Sequence, residues 1–129
     1  MGRIDWPEYW FAIARVVATR ATCPRKQVGA VIVSNNRILS TGYNGAGANK
    51  QHCTEVGCNI QRGHCSTAIH AEINALQLYF QPIRGIRILD DGEGLEMYCT
   101  LEPCNKCAKE LKKYLPKMKI YYEEENTNK

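Results

Sequence analysis

Apolar residues recur at two different periods along this chain of 129 residues. Helical spacing over residues 6–21 predicts an amphipathic helix, whose aromatic residues we assign to the core. The next apolar run, Gln27–Ser34, is rich in β-branched residues and predicts a strand. An Asn-Asn pair then predicts a turn, so that Arg37–Tyr43 forms a hairpin with the preceding strand.

The second half of the chain continues this alternation and ends in a polar tail, residues 123–129, which we expect to be frayed. The order αββαβαβ predicts one α/β domain over residues 1–129, with a partly parallel sheet and the antiparallel hairpin at one side. The remaining predicted elements are a helix over His70–Phe80, a strand over Leu95–Leu101, a helix from Pro103 to about Leu115 and a short strand over Met118–Tyr122.

Composition narrows the class of protein. The chain is 44% hydrophobic and 23% charged, which is ordinary for a globular domain. The net charge of +4 is too small to indicate a nucleic-acid partner by itself, and it would suit an anionic small molecule equally well. A solvated, slightly basic surface explains it better than either partner does. The sequence shows neither a secretory pattern nor a membrane-spanning run, so we expect a cytoplasmic protein. Seven cysteines in such a compartment favour metal binding or catalysis over disulfides.

The motif Pro103-Cys104-Asn105-Lys106-Cys107 predicts a pair of metal ligands. Cys104 and Cys107 are three residues apart, which places them on one face of the predicted helix. The positive end of a helix favours thiolates over thiols. Two thiolates at this spacing are typical zinc ligands.

The motif His70-Ala71-Glu72 begins the other predicted helix and supplies a third ligand, His70. One histidine and two cysteines leave one zinc coordination position open, which is typical of a catalytic rather than a structural site. Zinc lowers the pKa of a bound water to roughly 7. Glu72 can then move protons without binding the metal. These groups together meet the needs of hydrolytic deamination of a nucleobase.

The chain resembles the deoxycytidylate (dCMP) deaminase group of the cytidine deaminase superfamily, from about Glu8 to Tyr122. The residues that carry the resemblance are Cys23 with the run Lys26–Val33, the run Thr41-Gly42-Tyr43-Asn44-Gly45, the run Ile69–Leu76 and the run Tyr98–Lys109.

The resemblance implies a three-layer α/β/α sandwich around a central mixed sheet of about five strands. It implies that His70, Cys104 and Cys107 hold zinc, that Glu72 shuttles protons, and that dCMP is converted to dUMP and ammonia in pyrimidine nucleotide metabolism. Asn44 matches a family asparagine near the substrate sugar.

Regulation and assembly are also implied by the resemblance. Family members usually form hexamers. Some are regulated by dCTP and dTTP through the glycine-rich loop that contains Gly42, Tyr43 and Gly45, with Mg²⁺ as a possible companion of dCTP. The chain carries Ala46-Gly47 where relatives often have a proline after the alanine.

The sequence leaves alternatives for the residues that contact the phosphate and the base of the substrate. Arg25 and Lys26 precede the first strand and are candidates to bind a monophosphate, although a solvated pair of cations is an equal reading. Either Tyr121 or Tyr122 is expected to approach the base, as an aromatic residue does at the matching strand end in the family, with Tyr122 as our choice.

A second group of cysteines lies in the polar segment 49–67. Several deoxycytidylate deaminases carry a structural zinc here, and we predict one held by Cys23, Cys53 and Cys58 with either His64 or Cys65. Free thiols are the alternative. A closed four-ligand site would fix this long segment to the start of the hairpin.

Three other functions compete with deamination of dCMP. A tRNA adenosine deaminase shares the run Thr100-Leu101-Glu102-Pro103-Cys104 but would want a more basic surface. A free cytidine deaminase would lack the cysteine-rich segment. A non-catalytic zinc module would have no use for the carboxylate of Glu72.

Overall fold

The computed structural model describes residues 2–22, 26–46, 60–61, 64–65, 68–81 and 91–127. Three helices lie in these ranges: α1 (Trp6–Ala18), α2 (Ala71–Tyr79) and α3 (Asn105–Tyr114). None of these described helices is both long and apolar enough to cross a bilayer. The strands are β1 (Gly29–Ser34), β2 (Arg37–Tyr43), β3 (Gly45–Ala46), β4 (Ile60–Gln61), β5 (His64–Cys65), β6 (Ala68–Ile69), β7 (Glu96–Leu101) and β8 (Lys119–Glu124).

The four longer strands form one mixed sheet in the order β2-β1-β7-β8. β1 pairs antiparallel with β2 and with β7, while β7 and β8 are parallel. Asn35 and Asn36 both adopt positive φ in the tight turn between β1 and β2, a conformation that asparagine tolerates well. The sequence predicted a central sheet of about five strands, and the described residues contribute four strands to it.

Alternate residues of β1 face two separate hydrophobic cores. Ala30 and Ile32 pack with α2 and α3, and Val31 and Val33 pack with Trp10 and the rest of α1. All four of these β1 side chains are at most 1% exposed. A strand buried on both faces lies between layers of helices, which confirms the α/β/α sandwich.

Helix α2 approaches β2 so closely that only glycine fits at Gly42. A Cβ atom there would collide with the carbonyl oxygen of Ala71 and the backbone nitrogen of Ala75. Two residues earlier on the same face, the buried hydroxyl of Ser40 donates to the carbonyl oxygen of Ala75 at 2.9 Å. The side-chain amide of Asn74 donates to the carbonyl oxygen of Tyr43 at 2.7 Å. Strand β2 therefore fixes the distance of α2 from the sheet, its position along the strand and its rotation about its own axis.

Several element ends differ from the sequence prediction. Helix α1 stops at Ala18 because the backbone changes to tighter turns there, with Arg20 donating to Val17 and Ala21 to Ala18. β1 begins two residues late because the side chain of Asn44 takes the backbone N–H of Val28.

The carboxyl end of the chain is more ordered than predicted as far as Asn126. β8 continues to Glu124, whose carbonyl oxygen accepts a bond of 2.7 Å from the backbone N–H of Glu102. Asn126 is buried, and its N–H donates to the carboxylate of Glu102 at 3.2 Å. The expectation of a frayed tail from residue 123 was therefore wrong for residues 123–126, because these bonds hold it to the loop after β7.

We predict that Gly42→Ala destabilises the protein by about 1–3 kcal/mol, because the added methyl group meets helix backbone that cannot rotate away. Urea unfolding would measure the loss. Gly2→Ala is the matched control, since a Cβ atom at Gly2 meets nothing within 4 Å, and we expect it to change stability by less than about 0.5 kcal/mol. Equal stability of the two variants would contradict the close approach.

Candidate active site

Two helices begin next to each other at the carboxyl end of β7, and each offers its N-cap side chain to the same point. His70 is the N-cap of α2 and Cys104 is the N-cap of α3, both with extended backbone. Neither side chain makes the usual capping bond to its own helix. Cys107 lies one turn further into α3.

The three predicted ligands come together in space. Nδ1 of His70 lies 3.0 Å from Sγ of Cys107 and 3.6 Å from Sγ of Cys104. All three ligand atoms lie within 4.8 Å of one another. The two cysteines are buried and His70 is half-buried.

This donor set fits zinc. Tetrahedral zinc with usual bond lengths would separate a nitrogen and a sulfur ligand by about 3.6 Å and two sulfurs by about 3.8 Å. The 3.6 Å between His70 and Cys104 matches the nitrogen–sulfur value, the 3.0 Å between His70 and Cys107 is shorter, and all three atoms lie within 4.8 Å, so side-chain adjustments would complete three tetrahedral positions. His70, Cys104 and Cys107 therefore lie close enough together to share one metal ion.

Glu72 lies within the first turn of α2 and is 3% exposed. Burial raises the pKa of its carboxyl group, because the charged form loses water. Its backbone N–H, the thiol of Cys107 and the positive charge of Lys26 oppose that rise. A carboxyl group that touches a ligand without belonging to the ligand set is suited to transfer protons.

Burial also raises the pKa of the Cys107 thiol, and Glu72 and Cys104 add to the effect. Glu72 and Cys107 are adjacent acidic groups in a dry site, and the loss of a proton from either makes it harder for the other to lose its own. A divalent cation reverses that preference, since it deprotonates the thiols that bind it. The electrostatics of the site therefore favour a bound cation.

Asn44 is buried at the end of β2, and its amide links two chain segments. Its Oδ1 accepts from the N–H of Val28 at 2.7 Å, and its Nδ2 donates to the carbonyl oxygen of Lys26 at 2.6 Å. Its own backbone oxygen accepts from Thr22 at 3.2 Å. One amide hydrogen and one oxygen lone pair of its side chain are not used by these two bonds.

Of the two cations predicted to bind phosphate, Arg25 and Lys26, only Lys26 lies in the described part of the chain. Lys26 is half-buried and acts on the charge of Glu72, which places its ammonium group on the active-site side of the domain. Arg25 lies outside the described residues.

Strand register separates the two tyrosine candidates. Tyr121 pairs with Tyr98 and stacks on its ring at 5.1 Å, on the face that α1 covers. Tyr122 pairs with Cys99, whose thiol senses the charge of Glu72. Because paired residues of neighbouring strands share a face, Tyr122 lies on the active-site face.

The glycine-rich loop has a clear packing role. Gly42 gives α2 its space, as described above, and a Cβ atom at Gly45 would collide with the hydroxyl oxygen of Thr22. Tyr43 is 36% exposed.

The predicted second metal site falls mostly outside the described residues, which omit Cys23, Cys53 and Cys58. His64 and Cys65 form the short strand β5, which pairs with β4 in a two-stranded ladder. The second site therefore stays a prediction.

Two residues that position the site were missed by the sequence analysis. Ser40 and Asn74 hold α2 against β2 through the two hydrogen bonds given above. A polar residue on the inward face of each element was the available signal, because a buried polar side chain needs a partner.

A sandwich of this topology, with one histidine and two cysteines at two helix starts, defines a class of zinc-binding deaminase domains. Residues 4–123 match the model of the cytidine and deoxycytidylate deaminase zinc-binding region, which is almost the whole chain. The chain belongs to that family.

Similar proteins agree with this assignment. The chain is 37% identical over 120 residues to a deoxycytidylate deaminase of Mycobacterium phage D29, covering 84% of this chain and 87% of that protein. It is 39% identical over 111 residues to ComE operon protein 2 of Bacillus subtilis, covering 86% of this chain but 56% of the relative. It is 35% identical over 114 residues to human deoxycytidylate deaminase, covering 82% of this chain and 58% of that protein. The chain thus spans little more than half the length of two of these three relatives.

Among solved structures, a dCMP deaminase of cyanophage S-TIM5, crystallised with dCMP and dUMP, superposes with a TM-score of 0.74 at 29% identity. The match covers 92% of this chain and 81% of that one. Guanine deaminase of Bacillus subtilis shares the fold, with a TM-score of 0.59 at 20% identity over 94% of this chain and 66% of the other.

We predict that Cys107→Ser lowers the zinc content of the purified protein by about one ion per chain, because the site keeps only two strong ligands. Atomic absorption on protein of known concentration would measure it. Cys99→Ala is the matched control, since Cys99 is buried but stands outside the three-ligand cluster. Equal zinc loss in both variants would contradict the assigned ligand set.

Proposed function

We propose that this protein catalyses the hydrolytic deamination of dCMP to dUMP and ammonia. The observation that carries the proposal is the three-ligand cluster of His70, Cys104 and Cys107 beside the buried, non-ligating carboxyl group of Glu72. A structural zinc would use four protein ligands, and this cluster supplies three from the described residues.

The chemistry follows from what each side chain can do. Zinc held by the three ligands would supply a water of lowered pKa. Glu72 would take one proton from the attacking water and give it to the ring nitrogen of the base. It would then take the proton of the newly added hydroxyl group and give it to the amine, so that the carbonyl forms as the C–N bond breaks and ammonia leaves. The raised pKa of its carboxyl group suits both roles, because it makes the carboxylate a stronger base than an exposed one while the group can still return the proton.

The substrate assignment rests on groups around this centre. The amide hydrogen and the oxygen lone pair of Asn44 that its bonds to described residues leave unused suit a sugar hydroxyl. Lys26 supplies a cation for the phosphate, and Tyr122 offers a ring on the face that holds Glu72. Arg25 would add a second cation from its place in the sequence. The named activities of the relatives and the dCMP and dUMP bound in the cyanophage structure support the same substrate.

Regulation and assembly are proposed on the family resemblance. A homo-oligomer, a hexamer in the usual family form, would place the exposed Tyr43 of the glycine-rich loop where an effector such as dCTP with Mg²⁺, or dTTP, could contact it.

Ammonia release from dCMP is the test of the proposed reaction. We expect turnover of dCMP, with or without dCTP as activator, and little or none of dCTP, deoxycytidine or a tRNA anticodon stem-loop supplied as substrate. Turnover restricted to the stem-loop would instead support the tRNA adenosine deaminase alternative. No turnover of dCMP in either condition would contradict the proposal.

Glu72→Gln is the matched control for that assay. The amide keeps the size of the side chain but cannot carry the proton, so we expect kcat to fall by about 100- to 10,000-fold. Zinc content should stay at the wild-type value because Glu72 is not a ligand. An unchanged kcat would refute the proton-transfer role.

We also propose the structural zinc held by Cys23, Cys53, Cys58 and either His64 or Cys65. Wild-type protein should then contain about two zinc ions per chain, and Cys58→Ser should contain about one, bound at the His70 site. Metal analysis of both proteins would decide this, and a wild-type content close to one ion would exclude the second site.

A further inference from the structure

An aromatic groove lies where the start of α1 meets the β1–β2 turn. Its volume is about 790 Å³, which falls within the rough range of 300–1,000 Å³ seen for small-molecule sites. Its lining includes Arg3, Ile4, Trp6, Tyr9, Arg37 and Ile38.

Stacked rings form one wall of this groove. The ring of Trp6 lies on that of Trp10 with centroids 5.3 Å apart and planes 18° from parallel, and Tyr9 packs edge-on against Trp6 at 5.7 Å. Trp10 is 3% exposed, whereas Trp6 is 44% exposed. The stack therefore ends in a half-exposed indole, on which another planar ring could continue it.

Two guanidinium groups complete the groove. Arg3 and Arg37 are exposed, and neither forms an ion pair with any residue in the described part of the chain. The carboxylate of Asp5 also lines the groove and accepts from the N–H of Glu8 as the N-cap of α1; it keeps its negative charge, but the two guanidinium groups outweigh it, so the lining is net positive. The fork of an arginine is suited to bind phosphate oxygens in pairs.

The groove is remote from the metal cluster. It adjoins the β1–β2 turn, and β1 ends opposite Glu96 at the amino end of β7. The metal cluster lies beyond Leu101 at the carboxyl end of β7. Five residue steps of strand separate the two ends, which is roughly 17 Å.

We propose that this groove is a second nucleotide-binding site, in which the base stacks on Trp6 and the phosphates bind Arg3 and Arg37. A half-exposed aromatic platform favours a planar ring. Two arginines that have no ion pair among the described residues favour an anion, so the two features together fit a ligand that has both. A nucleoside phosphate is such a ligand. The site goes beyond the proposed deamination and does not depend on it.

A second copy of this chain is the competing occupant, because the side chains of Ile4 and Ile38 are 58% and 44% exposed. If a second copy made only apolar contacts with the groove, the guanidinium groups of Arg3 and Arg37 would lie at the edge of a buried surface without partners. Such burial is unfavourable unless the second copy places Asp or Glu side chains beside them. The positive charge therefore favours an anionic small molecule.

Tryptophan fluorescence tests the proposal selectively, because both tryptophans of the chain, Trp6 and Trp10, belong to this stack. ATP and CTP would be titrated into the Glu72→Gln protein, with excitation at the red edge of indole absorption. We expect saturable quenching by a nucleotide. Adenosine, cytidine and inorganic triphosphate should each bind more weakly than ATP or CTP. The two nucleosides lack the phosphates that bind the arginines, and inorganic triphosphate lacks the ring that stacks on Trp6.

Variants separate this site from the active site. Arg3→Gln and Arg37→Gln should each weaken nucleotide binding by about tenfold, the effect of losing one charge-assisted contact. Arg20→Gln, an exposed arginine beyond the other end of α1, is the matched control and should leave binding unchanged. Quenching should be the same in Glu72→Gln and in wild-type protein, so failure of the deaminase proposal would not affect this result.

Two outcomes would overturn the proposal. One is the absence of saturable quenching by ATP and CTP at millimolar concentration, or quenching that the two groove arginine variants do not change. The other is evidence that a second copy occupies the groove. In that case the tryptophan signal would depend on protein concentration, and sedimentation would detect self-association that is lost in Trp6→Ser.

Discussion

The contact between α2 and β2 is the constraint on which the rest of the site depends. Helix backbone lies directly over Gly42, and two further hydrogen bonds from Ser40 and Asn74 prevent α2 from sliding along the strand or turning about its axis. The first residues of α2 therefore have one position relative to the sheet. Because His70 and Glu72 occupy those residues, a few tenths of an ångström lost at the strand would move both the ligand and the proton carrier away from α3.

Charge explains why so dry a site can hold so many acidic groups. Glu72, Cys104 and Cys107 are all at most 7% exposed, and burial raises the pKa of both Glu72 and Cys107. A zinc ion with two thiolates is neutral as a unit, which leaves one carboxylate to be balanced by Lys26 nearby. The arrangement is costly without the ion and stable with it, so metal binding contributes to folding as well as to chemistry. Asn44 supports this balance from a distance, since it fixes the backbone on which Lys26 is carried.

The chemistry was predictable from the sequence because its ligands occur in short motifs at helix starts. A spacing of two or three residues is a local property, and the fold had only to bring two helix ends together. The hydrogen bond that Asn44 accepts from Val28, just before β1, was not predictable, because it joins residues sixteen positions apart in the sequence. The aromatic residues of α1 were assigned to the core on their spacing. Periodicity indicates which face of a helix turns inward, but not how far along the helix the sheet covers that face. Trp10 is covered by the sheet, whereas Trp6 lies beyond its edge and is half-exposed.

The two ends of the sheet are expected to act independently. β1 connects them, since it follows the Lys26–Val28 segment at one end and leads into the Asn35–Asn36 turn at the other. Its side chains are closely packed on both faces, and such a strand transmits displacement only if it has a second arrangement. Sites more than about 10 Å apart that share no contacts usually contribute additively. A ligand in the groove should therefore stabilise the fold through its own binding energy while leaving the positions of His70 and Glu72 unchanged, unless it also alters how copies of the chain associate.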